Sequence, residues 1–421
     1  MSDLRVSLDG VDFSGCALEG SATRRLNRPS LATIKIPMDC AAGCGGPGQR
    51  LKISFDAGGS IFFHGMVMDW ELEGGEDDGY IVMNAMDPME LWQWRVARDD
   101  TGDFTVPTFI EDYNFGPDIM YDILQNTEGD STAQGNAGLS PPVTAEGPMF
   151  LTLGTTPAPG CDLTGAPVDW PMTIAQVFSL LASTGCLDVV ITPTDPGGDI
   201  LGTVDFYNGD FGTDLSGAVV FEYGTGALNV RAARWNQDMS QVINKNWYYL
   251  GPRVATEADP AGDQHWRANI TGFDPNLAYP PGGQSVDASN NPVGPPWTDN
   301  QLGECTYDSR IAYGVRMQVN IYDGRGDEAL VGRDLYRRLW QAESWLRQNP
   351  RTLIHVTPIR GTQIGTFDIG DLVGVTIGSG ICGGIEGAQR VYQYTISWDA
   401  DGPFELSELQ TSSDVGVETG V

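Results

Sequence analysis

Lysine is nearly absent from this chain. Lys35, Lys52 and Lys245 are the only three, and the other 21 of its 24 cationic residues are arginine. Against them stand 56 carboxylates, for a formal net charge of -32 over 421 residues. Such a chain repels nucleic acid, because affinity there comes largely from Lys and Arg neutralising phosphates. What remains is a solvated acidic surface, or one past which nucleic acid slides without sticking. Long apolar runs are missing too. None approaches the ~20 residues of a membrane span. The opening MSDLRVSLDG has neither the basic n-region nor the apolar h-region of a signal peptide. The seven cysteines (Cys16, Cys40, Cys44, Cys161, Cys186, Cys305 and Cys382) are odd in number and irregularly spaced. They do not read as a disulfide framework, so the expectation is a reducing cytoplasm and mostly buried free thiols.

Familiar catalytic patterns are also lacking. No Ser sits in a GxSxG elbow and no HExxH occurs. His64, His265 and His355 are scattered, and His355 lies in an apolar strand, where a core histidine is expected. Cys40 and Cys44 share a loop, but zinc wants two further ligands and no second Cys/His pair is present. Gly43-Cys-Gly45-Gly-Pro-Gly48 matches GxGxxG. A dinucleotide fingerprint needs a helix after it, whereas Gln49 to Phe55 reads as a strand, so this is a hairpin loop. Glu76-Asp77-Asp78 lacks the alternating ligand spacing of a calcium loop. Arg325-Gly-Asp327 reads as a turn into a helix that Asp327 caps. With so many carboxylates, a glycosidase pair cannot be picked without their separation. No catalytic, cofactor or metal residue is assigned.

Glycine and proline, by contrast, are abundant. The 54 Gly and 26 Pro make up about 19% of the chain, against roughly 12% ordinarily. They follow no period, which fits many turns between short strands. Residues 1–98 read as β: Ser30 to Pro37, Leu51 to Phe55, Ile61 to Trp70 and Tyr80 to Met86 alternate, with GGEDDG as an acidic hairpin tip. Asp87-Pro-Met-Glu-Leu-Trp opens a short helical turn. Residues 99–222 read as a small α+β unit. Its helices run from Asp118 to Gln125 and from the capping box Thr173-Ile-Ala-Gln176, whose stripe is Ile174, Val177, Phe178 and Leu181, with Gly185 at its end. A loop-rich stretch at 129–171 separates them. Residues 223–325 are again β, with a confident strand region at Gln241 to Leu250 and a long Pro/Gly/Asp/Asn segment at 252–303 that has almost no periodicity. Residues 326–421 hold the best helix, Asp327 to Asn349, then strands at Thr352 to Pro358, Leu372 to Ile377, Gln389 to Ser397 and Phe404 to Leu409. The tail Thr411 to Val421 is expected to be disordered. Trp247, Tyr248, Tyr249, Trp340 and Trp345 are candidates for a sugar-binding or oligomer surface, or for core packing.

In TFDIGDLVGV, Thr366 to Val375, a Gly-Asp turn separates two apolar halves. Gly370 supplies the backbone freedom of a tight turn and Asp371 a side-chain bond to nearby amides. This stretch belongs to a collinear set: Asp238 to Asn246; Tyr307-Asp-Ser-Arg-Ile-Ala-Tyr-Gly314; a helix; Phe367 to Val373; and Gln389-Arg-Val391 before the last strand. Arg24 to Pro37 followed by Gly65-Met-Val-Met-Asp69 precedes it. The set resembles the tail-hub (baseplate hub, minor tail) proteins of long-tailed bacteriophages. Asp308, Tyr313, Gly314, Arg390 and Val391 carry the motif positions, and Gly370 and Asp371 the turn. The segment from Pro252 to Glu304 is longer than that pattern has, and Arg310 departs from it. The resemblance implies a mainly β (α+β) fold: two β-barrel domains, at 1–98 and 223–325, interleaved with the small α+β domain and a C-terminal helix-plus-strand domain. It implies a non-enzymatic homotrimer in the virion tail tip, assembled in the host cytoplasm. A hexameric distal tail protein would lie above it and tip or central-fibre proteins below, with tape-measure protein and DNA passing through. The alternatives are a tail-tip cell-wall hydrolase and a host-carbohydrate-binding tail protein.

Overall fold

Strict alternation of apolar and polar residues makes most of these segments strands, and the buried face they share decides how the strands assemble. The computed structural model describes residues 4–17, 19–40, 46–55, 59–74, 79–97, 116–128, 150–155, 172–182, 187–197, 199–209, 211–224, 229–238, 240, 242, 245–250, 267–270, 317–322, 351–359, 365–378, 384–399 and 405–413. The helix expected at Asp327 to Asn349, with Trp340 and Trp345, lies outside them, as do Asp308, Tyr313, Gly314, Cys44 and the Arg-Gly-Asp turn.

The chain is mainly β. Its N-terminal strands are β1 (Leu4–Leu8), β2 (Val11–Asp12), β3 (Glu19–Arg25), β4 (Leu31–Pro37), β5 (Arg50–Phe55), β6 (Ile61–Glu73) and β7 (Tyr80–Met86). From the second half come β11 (Val220–Tyr223), β12 (Val230–Asp238), β16 (Arg351–Pro358), β17 (Leu372–Ile377), β18 (Ile385–Trp398) and β19 (Glu405–Ser412). All these strands join one 13-stranded sheet, in which β12-β16-β19-β18-β3-β4-β7-β6 form an unbroken course. Every ladder along that course is antiparallel.

One face of the course is apolar from end to end. Its rows include Trp235 opposite Ile354, Val356 opposite Leu409, Ile396 opposite Ala22, Ala22 opposite Ala32, and Ile34 opposite Met83. Ile354, Leu409, Ile396, Ala22, Ile34 and Met83 are all essentially buried. At about 1.5–3 kcal/mol for each large side chain buried, this row is the main stabilising feature of the fold. A second layer covers it. β6 pairs with β5 over its first half and with β7 over its second. β18 pairs with β17 first and with β3 after a register shift at Val391/Gln393. A strand that changes neighbours midway carries the chain from one layer to the other, and a bulge supplies the bend.

A separate core belongs to the α+β unit. α1 (Gly116–Glu128) and α2 (Ile174–Ala182) pack with the order β8-β10-β9, made of Leu151–Leu153, Gly202–Tyr207 and Asp188–Pro193. The capping box is reciprocal. Thr173 N donates to Gln176 Oε1 at 2.8 Å, and Gln176 N donates to Thr173 Oγ1 at 3.2 Å. Asp87 caps the 3-10 helix Pro88–Trp94, accepting from Met89 N. Helix Pro88–Trp94 buries Trp92 against Phe178, rings 5.7 Å apart and edge-on. A third sheet, β14-β13-β15, uses Arg267–Ile270, Lys245–Leu250 and Met317–Tyr322.

Four expectations are corrected. Cys16 and Cys40 are disulfide-bonded, Cα atoms 5.9 Å apart, instead of free thiols. The turn after Phe13 and the 3-10 helix Met38–Cys40 bring them together, which spacing of 24 residues does not reveal. Thr411 and Ser412 are not tail. They end β19, are about 1% exposed, and pair with β16 and β18. The segment 252–303 contains the strand Arg267–Ile270, and the loop-rich stretch 129–171 contains Leu151–Leu153. His355 is not a core residue. It points to the polar face, its side chain 41% exposed and its Nδ1 3.5 Å from Glu408 Oε1.

Candidate assembly face and its junction

Two features of this framework are built from more than packing. The first is a buried polar junction where the N-terminal strands, the α+β unit and the C-terminal strands meet. Gly370 takes φ +85°, and a Cβ there would press on the Phe211 ring and carbonyl. Its N–H donates to Val391 O at 2.8 Å, and Val391 N donates to Asp371 O at 2.9 Å. The Asp371 carboxylate accepts from Thr213 N (2.7 Å) and Asp368 N (2.8 Å), tying the turn to the segment that leaves the α+β unit. Arg390 lies inside the junction, its guanidinium donating to Asp188 Oδ2 and to the carbonyls of Gly370, Gly209 and Phe211. The Asp188 and Arg390 side chains are 0% and 4% exposed. Asn27, held at φ +61°, completes the contact by donating from Nδ2 to Asp188 Oδ1 and accepting from Val189 N.

Beside it, Arg24 Nη1 donates to Asp368 Oδ2 at 2.6 Å and the Tyr394 hydroxyl to Asp368 Oδ1 at 3.0 Å. Burial opposes the Arg24 charge, but Asp368 and Tyr394 hold its pKa above the usual value. Burial pushes the Tyr394 phenol up, against the pull of Arg24. Every one of these groups is satisfied by another part of the chain. That is the signature of a structural lock.

The second feature is the face of the eight-strand course opposite the core. It carries Asp69, Glu71 and Glu73 on β6, Thr33 and Lys35 on β4, Arg25 on β3, Thr395 on β18, Glu408 on β19 and Arg234 on β12. Cross-strand bonds order it: Thr23 to Thr395, Arg25 to Gln393, Thr33 to Asn84, and Asn84 to Asp69. Among the described residues, both ends of the course stop unpaired. At β6, Val67 bonds outward to Gly48 and Gln49. The register then skips Met68, and alternation turns the backbones of Trp70 and Leu72 away from β7. Among the described residues nothing pairs with that edge. Trp70 and Leu72 lie on the apolar face, opposite Met83 and Ile81, yet are 47% and 54% exposed. At the other end, β12 pairs with β16 alone among the described strands and has the same kind of one-residue register shift, at Val230/Ala232.

Elsewhere, a groove is lined by Asn27, Arg28, Met89, Glu90, Trp92 and Phe178 among others. Glu90, its carboxyl pKa raised by burial, is the one carboxylate among the described lining residues. His64 is buried, with Nδ1 2.6 Å from Thr194 O, and burial lowers its pKa. It belongs to a clasp in which Lys52 and Arg50 hold Asp195 and Asp199 of the loop after β9. Nothing in the local sequence marks Asp188, Asn27 or the open edges. Only the paired strands reveal them.

No protein-family model and no curated protein matches the chain. Solved structures do. The tail protein from Neisseria meningitidis MC58 matches 98% of this chain over 97% of its own, with 11% identity and a TM-score of 0.51. The 43 kDa tail protein of prophage MuSo2 from Shewanella oneidensis matches 96% of this chain over 97% of its own, with 15% identity and a TM-score of 0.50. The chain therefore shares the fold of phage tail proteins, nearly end to end.

Proposed function

We propose that this chain is a structural, non-enzymatic component of a phage tail: a hub that forms a homotrimeric ring at the tail tip. The observation that carries the reading is an unfinished sheet. A course of eight strands keeps a continuous apolar face, then exposes Trp70 and Leu72 at an unpaired edge. Isolated soluble proteins blunt or cover such edges, and a subunit of a closed assembly completes them with a neighbour. The shared tail-protein fold supports the same reading.

In the ring, two β-barrel domains per chain would give six around the axis, adapting a six-fold tube to a three-fold tip. A hexameric distal tail protein would sit above, and tip or central-fibre proteins below. The polar face of the course would line the channel. With three copies carrying three times -32, or -96, DNA and tape-measure protein would pass without adhering. For the cell-wall hydrolase alternative, the groove beside Trp92 offers one carboxylate among its described lining residues, where glycoside hydrolysis generally uses two.

The test is the mass of the purified chain in solution, with images of the particle. Three copies of the 45.4 kDa chain, about 136 kDa, in a ring with an open centre is the expected result. A stable monomer at micromolar concentration would overturn it, and wall degradation by that monomer would favour the hydrolase.

A further inference from the structure

The two unpaired edges are complementary to each other, and this names the contact on which the ring depends. The inference rests on the ring-forming reading above. Seven successive antiparallel ladders separate β12 from β6, so the two edge strands run in opposite directions within one copy. Placed side by side with the same face inward, β6 of one copy and β12 of the next are therefore antiparallel.

Their faces also agree. On the apolar side, Trp70 and Leu72 continue the row of Met83 and Ile81, while Ala233 and Trp235 continue the row of Val356 and Ile354. On the polar side β6 presents Asp69, Glu71 and Glu73, and β12 presents Arg234 flanked by Ala232 and Asn236, with Arg231 at its bulge. Among the described residues, Glu71, Glu73, Arg231 and Arg234 have no ion-pair partner, and Asp238 lies at the far end of β12. Like edges would repel. β6 against β6 sets carboxylates against carboxylates, and β12 against β12 sets arginines against arginines. That disfavours a two-fold dimer and leaves the head-to-tail contact, the kind that generates rings.

We propose that β6 of one copy pairs antiparallel with β12 of a second copy, burying Trp70 and Leu72 beside Ala233 and Trp235 and matching Glu71 and Glu73 with Arg234.

Sedimentation of the full chain tests it by charge exchange. Glu71→Arg and Arg234→Glu are each expected to raise the concentration of half-assembly by roughly tenfold, since each sets like charges across a strand pair. The double variant, in which the charges trade places, is expected to return towards the wild-type value. Rings unaffected by both single changes would overturn the edge assignment while leaving the ring itself standing. A wild-type monomer would overturn both. Should a swapped chain misfold, separately purified Glu71→Cys and Arg234→Cys chains, mixed and oxidised, supply the second measurement. A cross-linked pair that neither chain forms alone is expected, and its absence from intact rings refutes the contact.

Discussion

Replacing Arg390 by Met would remove the charge at the centre of the junction and leave the other half behind. Asp188 is 0% exposed and would keep only Asn27 Nδ2 at 2.9 Å and Phe211 N at 3.2 Å. Three carbonyls, of Gly370, Gly209 and Phe211, would lose a donor at the same time. Breaking a buried pair from one side costs about 3–5 kcal/mol, because the remaining charge stays out of water. The two surviving donors soften that, so about 3 kcal/mol is expected. Urea unfolding read by tryptophan fluorescence and by far-ultraviolet dichroism measures it. Limited proteolysis should also show earlier cutting between Asp188 and Thr213, where the α+β unit is tied down. The double change Asp188→Leu with Arg390→Met removes both charges and should recover part of the loss. A single-variant cost below about 1 kcal/mol would refute the view that this pair locks the three parts together.

Other consequences are as direct. Burial raises the Asp87 carboxyl to about 6, although Ser30 N and Met89 N favour its ionised form. Its folded pKa lies above the unfolded value, so it stabilises the fold when protonated and loses that contribution as pH rises from about 4 to about 6. Asp87→Asn should remove this downward slope from a stability–pH curve, and an unchanged slope would sink the assignment. Gly370→Ala should cost about 2 kcal/mol in equilibrium unfolding, from the positive φ and the approach of Phe211. Thr173→Ala should cost about 1 kcal/mol and shorten protection of the first turn of α2 in hydrogen exchange. Trp70→Ser should cost the isolated chain about 1–2 kcal/mol, because half of the ring is already buried, while lowering the assembled fraction in sedimentation at concentrations where the chain stays folded.

Local chemistry was legible wherever neighbours in sequence are neighbours in space. The capping box at Thr173 and Gln176, the Asp87 cap and the apolar stripe of α2 each depend on three or four consecutive residues. The Gly370 turn is equally local in its glycine and in the Asp368 amide, but not in Thr213, a partner 158 residues away. Long-range pairings left no such trace. Cys16 and Cys40 looked like two of seven unrelated thiols, and Thr411 like the start of a polar tail. His355 alternates with Ile354 and Val356, and a period of two says that it faces away from them without saying which face is covered.

By itself, then, the sequence determined most of the described strands, the two described α-helices, the Gly370 turn, the acidic charge and the mainly β class, because alternation, capping and net charge are properties of short windows or of simple sums. Tertiary structure decided the rest. It chose which strands are neighbours, made β6 and β18 serve two layers each, and buried Asp188 beneath Arg390. It also left Trp70 and Leu72 about half exposed, although their alternation is that of core residues. Whether an apolar side chain is buried depends on what the fold lays over it, and among the described residues no strand covers this end of the sheet.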